Sequence, residues 1–217
     1  TSVREQADLE ATAKWEKQKK KGYVEKLIDA KAGKVDKTVI TGGVAPMLAQ
    51  SYAKQADKIA YPAYVQKKLD GCRCIAVIKN GKATLWTRTR KPITSMPHIV
   101  AALEHSFRGH TVTLDGELYA HSFHNNFEGL MKLVRPVEPV EGHETVQYHT
   151  YDVVQDEHFS GRLNWLTINH PSSSPLIMVQ TYTVRDEDEM MEKYDEFMAQ
   201  GYEGLIIRNA AGKYEEG

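Results

Sequence analysis

Three short runs in this 217-residue chain bring together residue types that can do covalent and phosphate chemistry. The first is Tyr64-Val65-Gln66-Lys67-Lys68-Leu69-Asp70-Gly71-Cys72-Arg73, a lysine at the end of an expected strand, then an acid, a glycine that allows a tight turn, and an arginine. Strand alternation separates the two lysines: Lys67 shares a face with Val65 and Leu69 and snorkels from an apolar surface, while Lys68 shares its face with Gln66 and can point into a polar pocket. Lys68 is therefore the better nucleophile. An amine attacks only after losing its proton, so a residue in this role needs a neighbouring cation, such as Arg73 or a bound metal. Taken alone, an ordinary solvated lysine pair is the default reading of the dipeptide.

The second run is Val112-Thr113-Leu114-Asp115-Gly116-Glu117-Leu118, in which Asp115 and Glu117 share the strand face opposite Val112, Leu114 and Leu118. Two carboxylates on one face can bind a divalent cation or a ribose hydroxyl, and a solvent-facing edge explains the same alternation. The third, Gly201-Tyr202-Glu203-Gly204-Leu205-Ile206-Ile207-Arg208, sets an acid directly ahead of an apolar strand. Its plain reading is a helix C-cap followed by a strand start. Each run is ambiguous by itself.

The elements that must position these runs can be read from periodicity. Arg4 to Lys20 is helix-compatible, very polar and lysine-rich at its end (Lys14, Lys17, Lys19, Lys20, Lys21), and a polar link from Gly33 to Gly43 leads to the main domain, 44–217. A short helix over Ser51–Lys58 precedes the first strand at Ala63. Asn80-Gly81 between Arg73–Ile78 and Ala83–Thr87 is a type I′ hairpin signal. Pro97–His105 reads as a helix with Ile99, Val100 and Leu103 buried; Thr111–Tyr119, Val146–Val154, Ile177–Val184 and Gly204–Arg208 read as strands. Asp186–Gln200 is an acidic helix whose Met190, Met191, Tyr194, Phe197 and Met198 are expected in the core. The sum is an α+β fold of antiparallel sheets packed with helices.

Composition excludes several function classes. With 41% hydrophobic and 26% charged residues the chain is neither disordered nor fibrous. No apolar run approaches the roughly 18 to 20 residues that cross a bilayer, and Thr1–Glu10 is too polar for a secretory segment, so a cytosolic protein without a membrane partner is expected. Cys72 and Cys74, at i and i+2, favour no disulfide, and without a second pair they make no zinc site; His121 and His124 read as solvated loop residues. Net charge is −1 but sharply divided: residues 1–110 carry 21 Lys+Arg against 10 Asp+Glu, net +11, and residues 111–217 carry 7 against 19, net −12. The basic half can track phosphates and the acidic half can hold cations.

Taken in order, the runs stop being ambiguous. Lys68-x-Asp70-Gly71-x-Arg73 resembles the signature of the covalent nucleotidyltransferases, the superfamily of ATP-dependent DNA ligases, RNA ligases and mRNA capping enzymes. Asp115-Gly116-Glu117, Tyr151-Asp152 and Glu203-Gly204-Leu205-Ile206-Ile207-Arg208 look like later motifs of that family, and Thr87 to Ile93 is similar to the element after the lysine motif in small viral and phage DNA ligases. The resemblance implies an ATP-grasp-like nucleotidyltransferase (adenylation) domain. In it Lys68 forms lysyl-AMP from ATP with Mg²⁺ or Mn²⁺, and Asp70 lies near the reacting ends. Arg73 contacts the nucleotide sugar and phosphate, Glu117 and Glu203 support the ribose or the metal, Tyr151 stacks on the base and Gln66 reads the adenine edge. Arg88, with Lys91, holds the 5′-phosphate of a nicked duplex DNA partner. RNA ligase, GTP-using capping guanylyltransferase and a non-catalytic nucleic-acid-binding module remain as alternatives. The family continues to a further lysine pair and an OB-fold domain; this chain stops before both and reads as the adenylation piece of a longer, monomeric enzyme of a bacterial or phage-infected cytoplasm, or of a nucleus. The 1–43 extension is expected to add duplex affinity.

Overall fold

A computed structural model describes residues 43–171 and 173–217, together with Gln6, Thr12, Lys14 and Trp15. Those four are helical; the remainder of the expected Arg4–Lys20 helix, its lysine run after Lys14 and the link to Gly43 lie outside the described residues. From Gly43 onward the elements are α1 (Tyr52–Gln55, continued by a 3₁₀ turn, Ala56–Lys58), β1 (Ala63–Lys68), β2 (Cys72–Lys79), β3 (Lys82–Thr87), β4 (Pro92–Ile93), α2 (Pro97–Ser106) and β5 (Val112–Tyr119). There follow α3 (Phe127–Val134), β6 (Gln147–Val153), α4 (Phe159–Asn169), β7 (Leu176–Met178), β8 (Thr181–Val184), α5 (Glu187–Ala199) and β9 (Gly204–Asn209). Among the described residues no helix is long and apolar enough to cross a membrane.

Two sheets carry the domain. The larger has the order β4-β3-β2-β5-β6-β7 and is antiparallel except for the β6–β7 pair; the smaller, β8-β1-β9, is antiparallel throughout. Asn80 and Gly81 adopt φ of 53° and 71°, the left-handed pair that a type I′ turn between β2 and β3 requires. Alternation then puts Cys74, Ala76, Ile78, Leu114 and Leu118 into one core with Ile99 and Leu103 of α2, each such aliphatic side chain contributing about 2 kcal/mol of burial. Val100 is half-buried.

The structure departs from simple periodicity in three places. Ile177–Val184 is two strands: β7 lies parallel to β6, the chain crosses at Val179–Gln180, and β8 pairs with β1 in the other sheet. Alternation persists through such a crossing, so it cannot reveal the change of sheet. In α5, Met190 and Phe197 are buried, while Met191, Tyr194 and Met198 are 44%, 37% and 44% exposed. The smaller sheet has only three strands, and a helix laid on it buries one narrow stripe. Finally, α3 and α4 are helices that the sequence pattern does not announce; α3 is capped by Asn126, whose side chain accepts from Gly129 N at 3.0 Å, and it buries Leu130, Met131 and Val134.

One backbone irregularity interrupts the larger sheet. Along β5 and β6, Asp115 stands opposite Asp152 but Gly116 stands opposite Thr150, so Tyr151 is the extra residue of a β-bulge. The bulge turns both Tyr151 and Asp152 toward the smaller sheet, while Val153 returns to the core beside Leu114.

Candidate active site

A cleft of about 980 Å³ opens between the sheets, with walls from β1, β2, β5, β6, β9 and the Met47–Gln50 segment. Gln66, Lys68, Asp70, Arg73, Arg88, Glu117, Tyr151 and Glu203 all line it, so eight of the nine residues expected at the site are brought together; Lys91 is exposed and is not among the lining residues. Register explains the central pair. Lys68 stands opposite Gly204, its carbonyl accepts from Glu203 N at 3.1 Å, and the Lys68 Nζ and Glu203 carboxylate form an ion pair. Lys67 faces the other way, 4.3 Å from the Tyr202 ring centroid.

The motif glycines are set by close approach. A Cβ on Gly71 would fall 2.5 Å from Leu118 O and 2.7 Å from Glu117 Cγ; one on Gly116 would fall 2.5 Å from His149 O and 2.9 Å from the Tyr148 ring. All four distances are shorter than real Cβ contacts tolerate, so the chain passes these points as glycine.

The two carboxylates of β5 part ways. Asp115 is fully buried and spent: Arg73 donates to it from Nε at 2.6 Å and from Nη2 at 2.5 Å, and the Tyr214 hydroxyl donates at 2.7 Å. The Asp115–Glu117 pair is therefore not a metal site, because one member is already neutralised within the protein. Arg73 also donates to Met47 O at 2.9 Å, which fastens the Met47 segment over the cleft. Glu117 has the Tyr151 hydroxyl as partner, at 3.4 Å, and burial pushes its carboxyl up to about 8. Burial outweighs the attraction of Arg73, its partner across the β2–β5 register, and a carboxylate whose charge is disfavoured in this way suits a divalent ion; Glu117 and Glu203 both supply the hard oxygen that Mg²⁺ or Mn²⁺ prefers. Among the described residues no group of three or more His, Cys, Asp or Glu is placed to hold a metal, so further ligands would come from water and phosphate. Cys72 lines the cleft, but burial pushes its thiol up to about 11, which leaves it no rival nucleophile at neutral pH.

At the inner end, the Tyr151 ring lies 5.1 Å from the Arg73 guanidinium and 5.7 Å from that of Arg208. Gln66 is 2% exposed, and its Nε2 donates to Tyr151 O and Thr181 Oγ1. Arg208 donates to Gln66 Oε1 at 3.0 Å and to Asp152 at 2.9 Å, and Arg162 also grips Asp152. Sequence reasoning assigned no role to Arg208, Asp152 or Arg162. The available signal was Arg162 itself, an arginine at a core position of α4 between Phe159 and Leu166. On the outer side, Arg88 and Thr89 lie in the β3–β4 turn, closed by Arg90 N donating to Thr87 O at 2.8 Å and Lys91 N to Thr87 Oγ1 at 3.0 Å.

Comparison with known proteins places this geometry. A DNA ligase of African swine fever virus is 29% identical over 163 residues, 70% of this chain and 38% of that protein. A Chlorella virus DNA ligase–adenylate has the same fold with a TM-score of 0.63 and 20% identity, over 80% of this chain and 62% of that one. The ATP-dependent DNA ligase of bacteriophage T7, in a complex with ATP, gives a TM-score of 0.59 and 19% identity, over 79% and 64%. The chain spans less than half the length of the curated relatives it matches. Residues 46–217 match the family model for the ATP dependent DNA ligase domain. Because that match begins at the segment strapped over the cleft by Arg73 and runs through every motif to the last residue, the chain belongs to the ATP-dependent DNA ligase domain family.

Proposed function

We propose that this domain performs the nucleotidyl transfer of an ATP-dependent DNA ligase, joining the 5′-phosphate and 3′-hydroxyl of a nick in duplex DNA. The observation that carries the reading is the Lys68–Glu203 pair, fixed by β1–β9 register in a cleft that also holds Arg73, Glu117 and Tyr151. For attack, that pair opens and the amine gives up a proton. Nζ then bonds to the α-phosphorus of ATP, the α–β bridging P–O bond breaks, and pyrophosphate leaves with the electron pair. An oxygen of the nick 5′-phosphate next displaces the lysine from phosphorus, and the amine regains its proton. Last, the 3′-hydroxyl oxygen bonds to the phosphorus of the activated 5′-phosphate and gives up its proton to solvent, the P–O bond of the bridge to AMP breaks, and AMP departs with the electron pair.

The remaining residues act by holding and orienting. Tyr151 stacks on the base, Gln66 reads its edge, and Arg73, already neutralised by Asp115, offers its remaining N–H to the nucleotide. A divalent cation held by Glu117 and Glu203 would offset the charge of the phosphates. Arg88, exposed at the rim, contacts the 5′-phosphate, with Lys91 supporting from the same turn, and Asp70 lies beside the reacting ends. The basic half of the chain, including the 1–43 extension, serves the DNA backbone.

The deciding experiment incubates the protein with Mg²⁺ and α-labelled ATP or GTP, beside Lys68→Ala, and follows label on a denaturing gel. Adduct from ATP, absent in the variant, is expected. Adduct from GTP alone would move the assignment to capping, and adduct from neither would overturn the covalent mechanism. Sealing of nicked DNA against nicked RNA then separates the two ligase classes.

A further inference from the structure

Arg162 does not touch the cleft, yet it is bound more completely than any surface role requires. It is 1% exposed on α4, at a position where helical spacing calls for an apolar residue. Its Nε donates to Asp152 Oδ1 at 2.7 Å and its Nη2 to Asp152 Oδ2 at 3.0 Å, while Nη1 donates to Glu157 O at 2.6 Å and Gly212 O at 3.0 Å. This is the two-pronged arginine–carboxylate geometry.

Asp152 is shared. Besides Arg162, Oδ1 accepts from Val153 N at 2.8 Å and Oδ2 from Arg208 Nη1 at 2.9 Å. Since Arg162 holds the two-pronged place, Arg208 is confined to one bond with the carboxylate and keeps its Nε for Gln66 Oε1 at 3.0 Å. The Gln66 amide is thereby oriented. Turned over, it would set its NH₂ against the Arg208 N–H and its carbonyl against Tyr151 O, donor on donor and acceptor on acceptor. As it stands, both N–H groups are used, on Tyr151 O and Thr181 Oγ1, and what remains is a lone pair on Oε1. A group that can only accept suits the 6-amino group of adenine and repels the 6-carbonyl of guanine.

We propose that Arg162 is a positioning residue for nucleotide choice: by gripping both oxygens of Asp152 it keeps Arg208 on Gln66, and Gln66 then presents only an acceptor to the purine. The inference rests on the cleft being the ATP site and adds the device by which it prefers ATP to GTP.

The test uses the full chain with Mg²⁺ and α-labelled ATP or GTP, measuring initial adduct rates and the competition of each unlabelled nucleotide. Arg162→Met leaves Asp152 to Arg208 as a one-to-one pair, so no carboxylate is orphaned; Arg208 then turns both prongs to Asp152 and releases Gln66. The ATP-to-GTP preference is expected to fall about tenfold or more while ATP still labels the protein. Arg162→Lys, which keeps the charge, should recover part of the preference. A purely structural role would slow both nucleotides alike, and an unchanged ratio in folded Arg162→Met overturns the proposal. Gln66→Met tests the other end of the relay whether or not the Arg162 variants fold: the ratio must collapse there too, and its survival also overturns the proposal. Wild-type protein that takes up neither nucleotide is a different failure, that of the ATP reading itself.

Discussion

Arg73 on β2 and Asp115 on β5 are joined by two hydrogen bonds of 2.6 and 2.5 Å, with the Asp115 side chain 1% and the Arg73 side chain 19% exposed. The pair links adjacent strands, and through Met47 O and Tyr214 it ties both ends of the domain to the cleft. Removing one member strands the other. Asp115→Ala is expected to cost about 3 kcal/mol of unfolding free energy and Tyr214→Phe about 1 kcal/mol, read from urea midpoints. An Asp115→Ala midpoint equal to wild type would show that the pair does not hold the strands.

Glu203 should separate stability from chemistry. Its ion pair with Lys68 is well exposed, at 45% and 39% of the side chains, so Glu203→Gln is expected to change stability by less than about 1 kcal/mol. On the proposed mechanism, lysyl-adduct formation should nonetheless fall by about a hundredfold, since the carboxylate proposed to support the reacting phosphate is lost. Loss of stability and activity in parallel would make Glu203 a structural residue.

His170 gives a signed pH effect. It is 7% exposed, its Nε2 sits 2.8 Å from Thr150 Oγ1, and burial lowers it from 6.5 to about 4. The folded state therefore binds the proton more weakly than the unfolded state. Stability from the neutral ring is fully present above pH 6.5 and is lost as pH falls toward 4, by about 2 kcal/mol at pH 5. Glu117, raised to about 8, acts in the opposite sense over the same range, so the informative quantity is a difference. The gap in unfolding free energy between wild type and His170→Gln should narrow by about 2 kcal/mol from pH 7 to pH 5. A constant gap would mean that the ring is not held neutral.

Gly116→Ala is expected to destabilise by about 2 to 3 kcal/mol, because its Cβ would meet the His149 carbonyl, part of a paired strand that cannot withdraw. Gly109→Ala, where a Cβ meets nothing within 4 Å, should stay within about 0.5 kcal/mol. Thermal unfolding of the two side by side checks the contrast.

Much of the site was legible because it lies on regular strands. Alternation alone sent the Lys68 and Lys67 side chains to different partners, Glu203 and the Tyr202 ring, and placed Glu117 opposite Leu118, and the Asn80-Gly81 turn fixed the β2–β3 register. What escaped depends on contacts between distant segments. The neutralising of Asp115 by Arg73, 42 residues away, and the sharing of Asp152 by Arg162 and Arg208 leave no periodic trace. Helix α3 was lost for another reason: Gly129 sits within its first turns, and only the Asn126 cap, itself a common loop residue, marks its start.

The extra residue at Tyr151 has a consequence for anyone moving this segment into another scaffold. On an unbroken strand adjacent side chains part to opposite faces, and a Tyr-Asp dipeptide could deliver either an aromatic wall or an ion anchor, never both. Here the backbone irregularity delivers both, so a graft that copies the letters but regularises the strand would keep the aromatic and drive Asp152 into the hydrophobic interior, or the reverse. What must be inherited intact is the one-residue mismatch between β5 and β6.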